Sequence, residues 1–132
     1  MDVAQALGRL MQDSSQVERA VVLDADGAVL GSTLDDAAAA EGLAEAARGL
    51  LSAAGELRAS GDEVTRAEVE LSEGALFVFR EGGRTIAATT GPKPTAGLVA
   101  YDLRTCLHGL GEAEKPKRKR TTRKAKEEAP DR

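Results

Sequence analysis

Ala20-Val21-Val22-Leu23-Asp24-Ala25-Asp26-Gly27-Ala28-Val29-Leu30 is the stretch on which the fold turns. Two apolar runs rich in Val and Leu flank Asp24-Ala25-Asp26-Gly27, the composition of a tight antiparallel hairpin: Asp hydrogen-bonds its own backbone and Gly supplies φ > 0. Both runs are apolar on consecutive residues, which suits strands covered on both faces. A hairpin alone is marginal in water, so the remaining chain must supply the strands and helices that complete its sheet.

Upstream, Val3, Leu7, Leu10 and Met11 fall at helical spacing, and Asp13-Ser14-Ser15 ends that short amphipathic helix. The hairpin strands are expected over about Val17 to Leu23 and Ala28 to Thr33. Thr33-Leu34-Asp35-Asp36 then offers capping side chains, and Ala37 to Leu57 is almost wholly helix-forming. Leu43, Ala47, Leu50, Ala54 and Leu57 form a heptad-like seam along it, while Ala44, Ala46, Leu51 and Ala53 widen the apolar surface, so this helix calls for two neighbours.

After Ala59-Ser60-Gly61-Asp62 the period changes to two. Ala67, Val69 and Leu71 alternate with Arg66, Glu68 and Glu70, reading as a strand with one buried and one polar face over Val64 to Leu71. Ser72-Glu73-Gly74 turns the chain into Ala75-Leu76-Phe77-Val78-Phe79, apolar throughout as a central strand is, and Glu81-Gly82-Gly83-Arg84 turns it again into Thr85 to Thr90. Gly91-Pro92-Lys93-Pro94-Thr95 breaks the sheet, and Val99, Leu103, Cys106, Leu107 and Leu110 line one side of a last helix that Gly109 and Gly111 are expected to stop. From Glu112 on, charge density with Pro116 and Pro130 predicts a disordered tail, giving a domain over 1–111 and a Lys/Arg-rich tail over 112–132.

This ordered set resembles a bacterial Roadblock/dynein light chain domain. The resemblance is carried by the Val-Val-Leu-Asp-Ala-Asp-Gly-Ala-Val-Leu hairpin, the Ala-rich helix, the Leu-Phe-Val-Phe strand and the Gly97-Leu98-Val99-Ala100-Tyr101 helix opening, and covers about residues 3 to 110. It implies an α/β fold in the order α-β-β-α-β-β-β-α. A five-stranded, mostly antiparallel sheet would carry the long helix on one face and the two terminal helices on the other, a roadblock/profilin-like sandwich.

Composition narrows the function. A chain of 132 residues makes one domain able to bury roughly two thirds of its unfolded surface. Its aromatics are Phe77, Phe79 and Tyr101 alone, so Leu, Val and Ala fill the core and elements lie close together. No apolar run is long enough to span a membrane, and Met1-Asp2-Val3-Ala4 lacks an export pattern, so a cytoplasmic location is expected. The lone Cys106 disfavours disulfides and structural zinc.

Candidate chemistry is sparse. Asp24 and Asp26 lack the further oxygen ligands and closing Glu of a calcium loop and read as turn residues. Cys106 and His108, two apart on a helix, point roughly 200° from each other and make no dyad. Gly91 to Thr95 lacks phosphate-loop spacing, and its prolines remove backbone donors. With no cofactor site and no catalytic constellation, a non-enzymatic protein working through its surfaces is expected.

Two surfaces stand out. If the Val64 to Leu71 strand is a sheet edge, it is either blunted by its own charges or paired with the same strand of a second copy. Self-pairing centred near Glu68 sets Arg66 opposite Glu70 of the other copy, worth about 0.2 to 1 kcal/mol. The resemblance implies the homodimer, joined through this strand and the long helix, with Leu43, Ala47, Leu50, Ala54, Leu57, Arg66, Glu68 and Glu70 at the interface. It also implies a regulatory or scaffolding role in binding a Ras-like small GTPase or a multi-protein complex. Where such proteins stimulate hydrolysis they remodel the GTPase's own site, so no catalytic Arg is required of them.

The second surface is the tail. Net charge is −4, yet Lys115, Lys117, Arg118, Lys119, Arg120, Arg123, Lys124 and Lys126 stand together without an acid among them, while the body uses Arg except at Lys93. The segment is a solubilising extension or a salt-sensitive, sequence-independent binder of nucleic acid, anionic lipid or an acidic protein. It has no aromatic for base stacking, and fully extended it reaches roughly 70 Å. A nucleic-acid-associated dimer binding through this tail is the alternative function. A small-molecule sensor is a third, weakened by a core of small apolar residues that promises no roomy polar pocket.

Overall fold

The structure, a computed structural model, describes residues 2–57 and 64–119, with residues 111–119 as backbone alone. Its elements in chain order are α1 (Val3–Asp13), β1 (Val17–Leu23), β2 (Val29–Ser32), α2 (Ala37–Gly55), β3 (Arg66–Leu71), β4 (Gly74–Glu81), β5 (Arg84–Thr90) and α3 (Ala96–Lys119). The strands form one sheet in the order β2-β1-β5-β4-β3, every neighbouring pair antiparallel. The chain crosses the sheet through α2, so that β5 lies at the centre between β1 and β4.

Local chemistry fixes the element ends. Asp2 and Gln5 make a reciprocal capping box on α1: Gln5 N donates to Asp2 Oδ1 at 2.7 Å and Asp2 N to Gln5 Oε1 at 3.1 Å. Asp36 caps α2 by accepting from Ala38 N. In the β1–β2 turn Asp24 Oδ1 accepts from the amides of Asp26 and Ala28 at 2.9 and 3.0 Å, and Gly27 takes φ of 88°. The paired aspartates are therefore turn residues, as their spacing suggests.

Alternation along the strands divides the core in two. Val22, Phe77, Phe79 and Ile86 face α1 and α3, where Leu7, Leu10, Val99, Leu103 and Leu107 close the layer. Val21, Leu23, Val78 and Ala87 face α2, which meets them with Ala40, Ala44, Ala47 and Leu51. The consecutive apolar runs thus feed two faces of one sheet. Small α2 residues let the helix lie close to the strands.

Three local expectations shift. The side of α2 that packs on the sheet is Ala40, Ala44, Ala47 and Leu51, so the Leu43, Leu50 and Leu57 seam lies on its flank. Leu71, expected on the buried face of its strand, is 63% exposed because β3 is an edge and α2 does not reach its end. And α3 runs through Gly109 and Gly111 to Lys119. An internal glycine costs about 1 kcal/mol against alanine but ends a helix only where it takes a left-handed cap; Gly109 does not, and Glu112, Ala113, Glu114 and Lys115 are strong helix formers. The helix therefore takes in residues 112–119 of the segment read as tail. The expected turn Ala59-Ser60-Gly61-Asp62 and the cations Arg120, Arg123, Lys124 and Lys126 lie outside the described residues.

Candidate interaction surface

A five-stranded open sheet has two edges, and their finish differs. At the β2 edge the strand is four residues long and α1 lies against it; a Cβ on Gly31 would stand 2.4 Å from Val3 Cγ1, so only glycine admits the helix. At the other edge β3 is six residues long and, among the described residues, hydrogen-bonds only β4. Arg80 N donates to Thr65 O at 2.9 Å, and Leu71 pairs with Gly74 across a two-residue turn. Antiparallel alternation then aims the backbone groups of Ala67, Val69 and Leu71 at β4 and those of Arg66, Glu68 and Glu70 outward. Those three residues carry the free ladder.

The side chains of this strand fall on two faces. Arg66, Glu68 and Glu70 stand beside Phe79, Phe77 and Ala75, on the α3 side. Arg66 Nη2 lies 2.7 Å from Glu68 Oε2, an exposed pair of small energetic weight, and its guanidinium rests over the Phe79 ring at 5.4 Å, with that of Arg104 at 5.7 Å. Ala67 and Val69, half-buried, share the α2 side with Leu71.

The helix flank continues this apolar strip. Arg48 donates to the Gly27 carbonyl in the β1–β2 turn, which fixes the side of α2 nearest β2; Leu43 and Leu50, on the opposite side of the sheet-facing residues, lie toward β3. Leu43, Leu50 and Ala54 are half-buried and Leu57 is 88% exposed, whereas Ala47 has no accessible surface and packs within the chain. Beyond the leucines, Gly42, Ala46, Gly49 and Ala53 are exposed, and a Cβ on either glycine would meet nothing within 4 Å. An uncharged surface therefore runs from Val69 and Leu71 across the leucines to the outer side of α2. Val69 and Leu71 were missed as surface residues because period two shows which residues share a face, not whether anything covers that face.

At the other end of α2 an open cleft of about 840 Å³ lies between the β1–β2 turn, the helix C-terminus, the β4–β5 turn and the residues leading into β3. Asp24, Asp26, Glu56 and Glu81 line it together with Arg48 and Arg80, over a floor that includes Leu23, Leu51 and Val64. The cleft lies outside the core of small residues, past the sheet end, where turns splay. No group of three His, Cys, Asp or Glu among the described residues is placed to hold a metal.

The remaining candidates are structural. Cys106 is buried between α3 and the sheet, and desolvation pushes its thiol up to about 11. His108 points away from it and places Nε2 2.9 Å from Glu81 Oε2. In the Gly91 to Thr95 connection Lys93 adopts φ of 55° and Thr95 N donates to Gln16 Oε1, geometry that turns the chain from β5 into α3. Lys115, Lys117, Arg118 and Lys119 occupy the last turns of α3. No helix among the described residues is long and apolar enough to cross a membrane.

Comparison with known proteins agrees with this architecture. Residues 3–90 match the family model of the Roadblock/LC7 domain. A Roadblock/LC7 domain from Streptomyces avermitilis is 26% identical, with 86% of this chain and 98% of that chain covered and a TM-score of 0.74. Myxococcus xanthus MglB superimposes at 15% identity over 84% of this chain and 93% of its own, TM-score 0.65. A structure described as MglB with tetrameric arrangement does so at 14% identity over 83% and 85%, TM-score 0.62. No curated protein matches the sequence.

Proposed function

The chain belongs to the Roadblock/LC7 domain family, and from that premise we propose that it acts in the cytoplasm as a non-enzymatic, homodimeric regulator or scaffold that binds a Ras-like small GTPase or a larger complex. The observation that carries the reading is the open β3 edge, whose α2-side residues Ala67, Val69 and Leu71 continue without a charge into the Leu43 and Leu50 flank of α2. A long uncovered edge beside an exposed apolar strip is a liability in a monomer, and a second copy covers both at once under a two-fold axis. The two sheets then join into one of ten strands, with Arg66 of each copy opposite Glu70 of the other.

Family membership supports the GTPase assignment, and a tetrameric arrangement of MglB, a neighbour in fold, supports self-assembly of this architecture. The nucleic-acid reading of the basic segment rests on its charge alone. Light scattering at micromolar concentration tests the dimer: twice the 13.7 kDa chain mass is expected, and a persistent monomer rejects it. Calorimetric titration with small GTPases from the same cell, loaded with GDP or a GTP analogue, tests the partner; binding that differs between nucleotides is expected, and no binding in either state removes the assignment.

A further inference from the structure

Given the two-fold pairing of β3 proposed above, on which this contact depends, we propose that Arg104 makes α3 a third element of the interface between copies. Its guanidinium pairs with Glu70 of the partner subunit, which enters between Arg104 and Arg66 beside the Phe79 ring. The arrangement starts within one chain. Phe79 is buried on β4, directly across from Arg66 on β3. The Arg66 guanidinium lies 5.4 Å from the ring centroid and that of Arg104 5.7 Å from it, so two cations share one ring. Arg104 arrives there because Leu103, Val99 and Leu107 take the sheet-facing side of α3, and the next residue stands about 100° round the helix, toward β3.

Charge shows what one copy lacks. Arg66 is engaged by Glu68, whose Oε2 lies 2.7 Å from its Nη2 and 3.2 Å from its Nε. Among the described residues Arg104 makes no hydrogen bond or ion pair through its side chain, and neither does Glu70. Both are exposed. Arg104 sits at the Phe79 row of the sheet and Glu70 at the Ala75 row, four residues along the strand or about 13 Å away. A single copy therefore carries an unmatched cation at one end of the β3 edge and an unmatched anion at the other.

The two-fold brings them together. Pairing centred on Glu68 sets the partner's Glu70 opposite Arg66, so one row across the sheet reads Phe79, Arg66 and then the partner's Glu70. Neighbouring strands lie about 4.8 Å apart, and alternation puts all three side chains on the α3 side. The carboxylate thus arrives beside two guanidiniums. Arg66 keeps Glu68 and gains a second acid, Arg104 gains its first, and each end of the joined edge holds two cations against two anions. Pairing shifted by two residues would set the partner's Glu68 opposite Arg66 and the partner's Glu70 opposite Val64, leaving both charges unmatched. The same contact therefore fixes the register of the joined sheet.

The test mixes two variants of the full chain. Arg104→Glu and Glu70→Arg each set like charges together at both ends of the edge, and each alone is expected to raise the dimer dissociation constant about tenfold or more in sedimentation at low salt. Mixed one to one, with one of them mass-tagged, they are expected to form mixed dimers in excess of random pairing by native mass spectrometry. In the mixed dimer one end again joins opposite charges and the other end is native. The neutral variants Arg104→Gln and Glu70→Gln give a second reading that reversal of charge does not complicate: each raises the dissociation constant severalfold, and the two together no further than either alone. Random mixing, independent effects of the neutral variants, or an equal preference with Glu68→Arg in place of Glu70→Arg overturns the contact and leaves the dimer standing. A native chain that stays monomeric removes the dimer and the contact together.

Discussion

The Arg48 guanidinium on α2 donates a hydrogen bond to the carbonyl of Gly27 at 2.5 Å, tying the long helix to the turn of the first hairpin. Gly27 is left-handed there, and a Cβ on it would lie 2.9 Å from Arg48 Cδ. Gly27→Ala is expected to cost about 1–2 kcal/mol, chiefly for the left-handed backbone because the arginine stem can move, and Arg48→Ala about 1 kcal/mol. Urea unfolding of both variants and of the pair checks this, with the double variant falling short of the sum because the residues share one contact.

Glu68→Pro separates assembly from folding. The Glu68 amide points away from β4, so proline there removes a donor only from the free edge, and the extended Ala67 before it tolerates the ring. Light scattering is expected to show a folded monomer. Val69→Pro, one residue on, deletes a ladder bond to β4 and is expected to cost about 3 kcal/mol in thermal or urea unfolding. A Glu68→Pro protein that stays dimeric places the interface elsewhere.

Two leucines six residues apart on and just beyond α2 are expected to behave oppositely. Leu51 packs on the sheet and Leu57 is 88% exposed. Leu51→Ala should lower unfolding free energy by about 2–4 kcal/mol at any protein concentration. Leu57→Ser should leave monomer stability within about 0.5 kcal/mol and raise the dimer dissociation constant, read by sedimentation over a dilution series.

Cys106 makes stability fall in alkali. Burial raises its folded pKa from 9.0 to about 11, so between those pH values the unfolded chain has lost a proton that the folded chain keeps. Stability from this group is complete below pH 9 and declines as pH rises toward 11, by at most about 1.4 kcal/mol per pH unit. Urea midpoints from pH 8 to 11 should show a decline in the native sequence that Cys106→Ala lacks. Identical slopes would place the alkaline transition in other groups.

Much of the fold was legible in the chain because its information is local. The Asp24 to Gly27 turn and the capping residues ahead of α1 and α2 follow from hydrogen bonds spanning four residues or fewer, and the strand at Ala67, Val69 and Leu71 from a period-two alternation within six residues. The candidate surface was half legible. Arg66, Glu68 and Glu70 were found from their polar alternation, whereas Val69 and Leu71 looked buried and Ala47 looked available.

The sequence by itself determined the kinds of element, their order and the need for cover on both faces of the sheet, since periodicity and turn chemistry act within a few residues of each other. The tertiary structure alone decided that β5 pairs with β1 across a long crossover and that β3 is left as the open edge. It also decided which side of α2 the sheet uses and that α3 passes its glycines instead of stopping at them. Those outcomes depend on contacts between residues far apart in the chain, where packing volume and backbone pairing choose among arrangements that local pattern leaves equal.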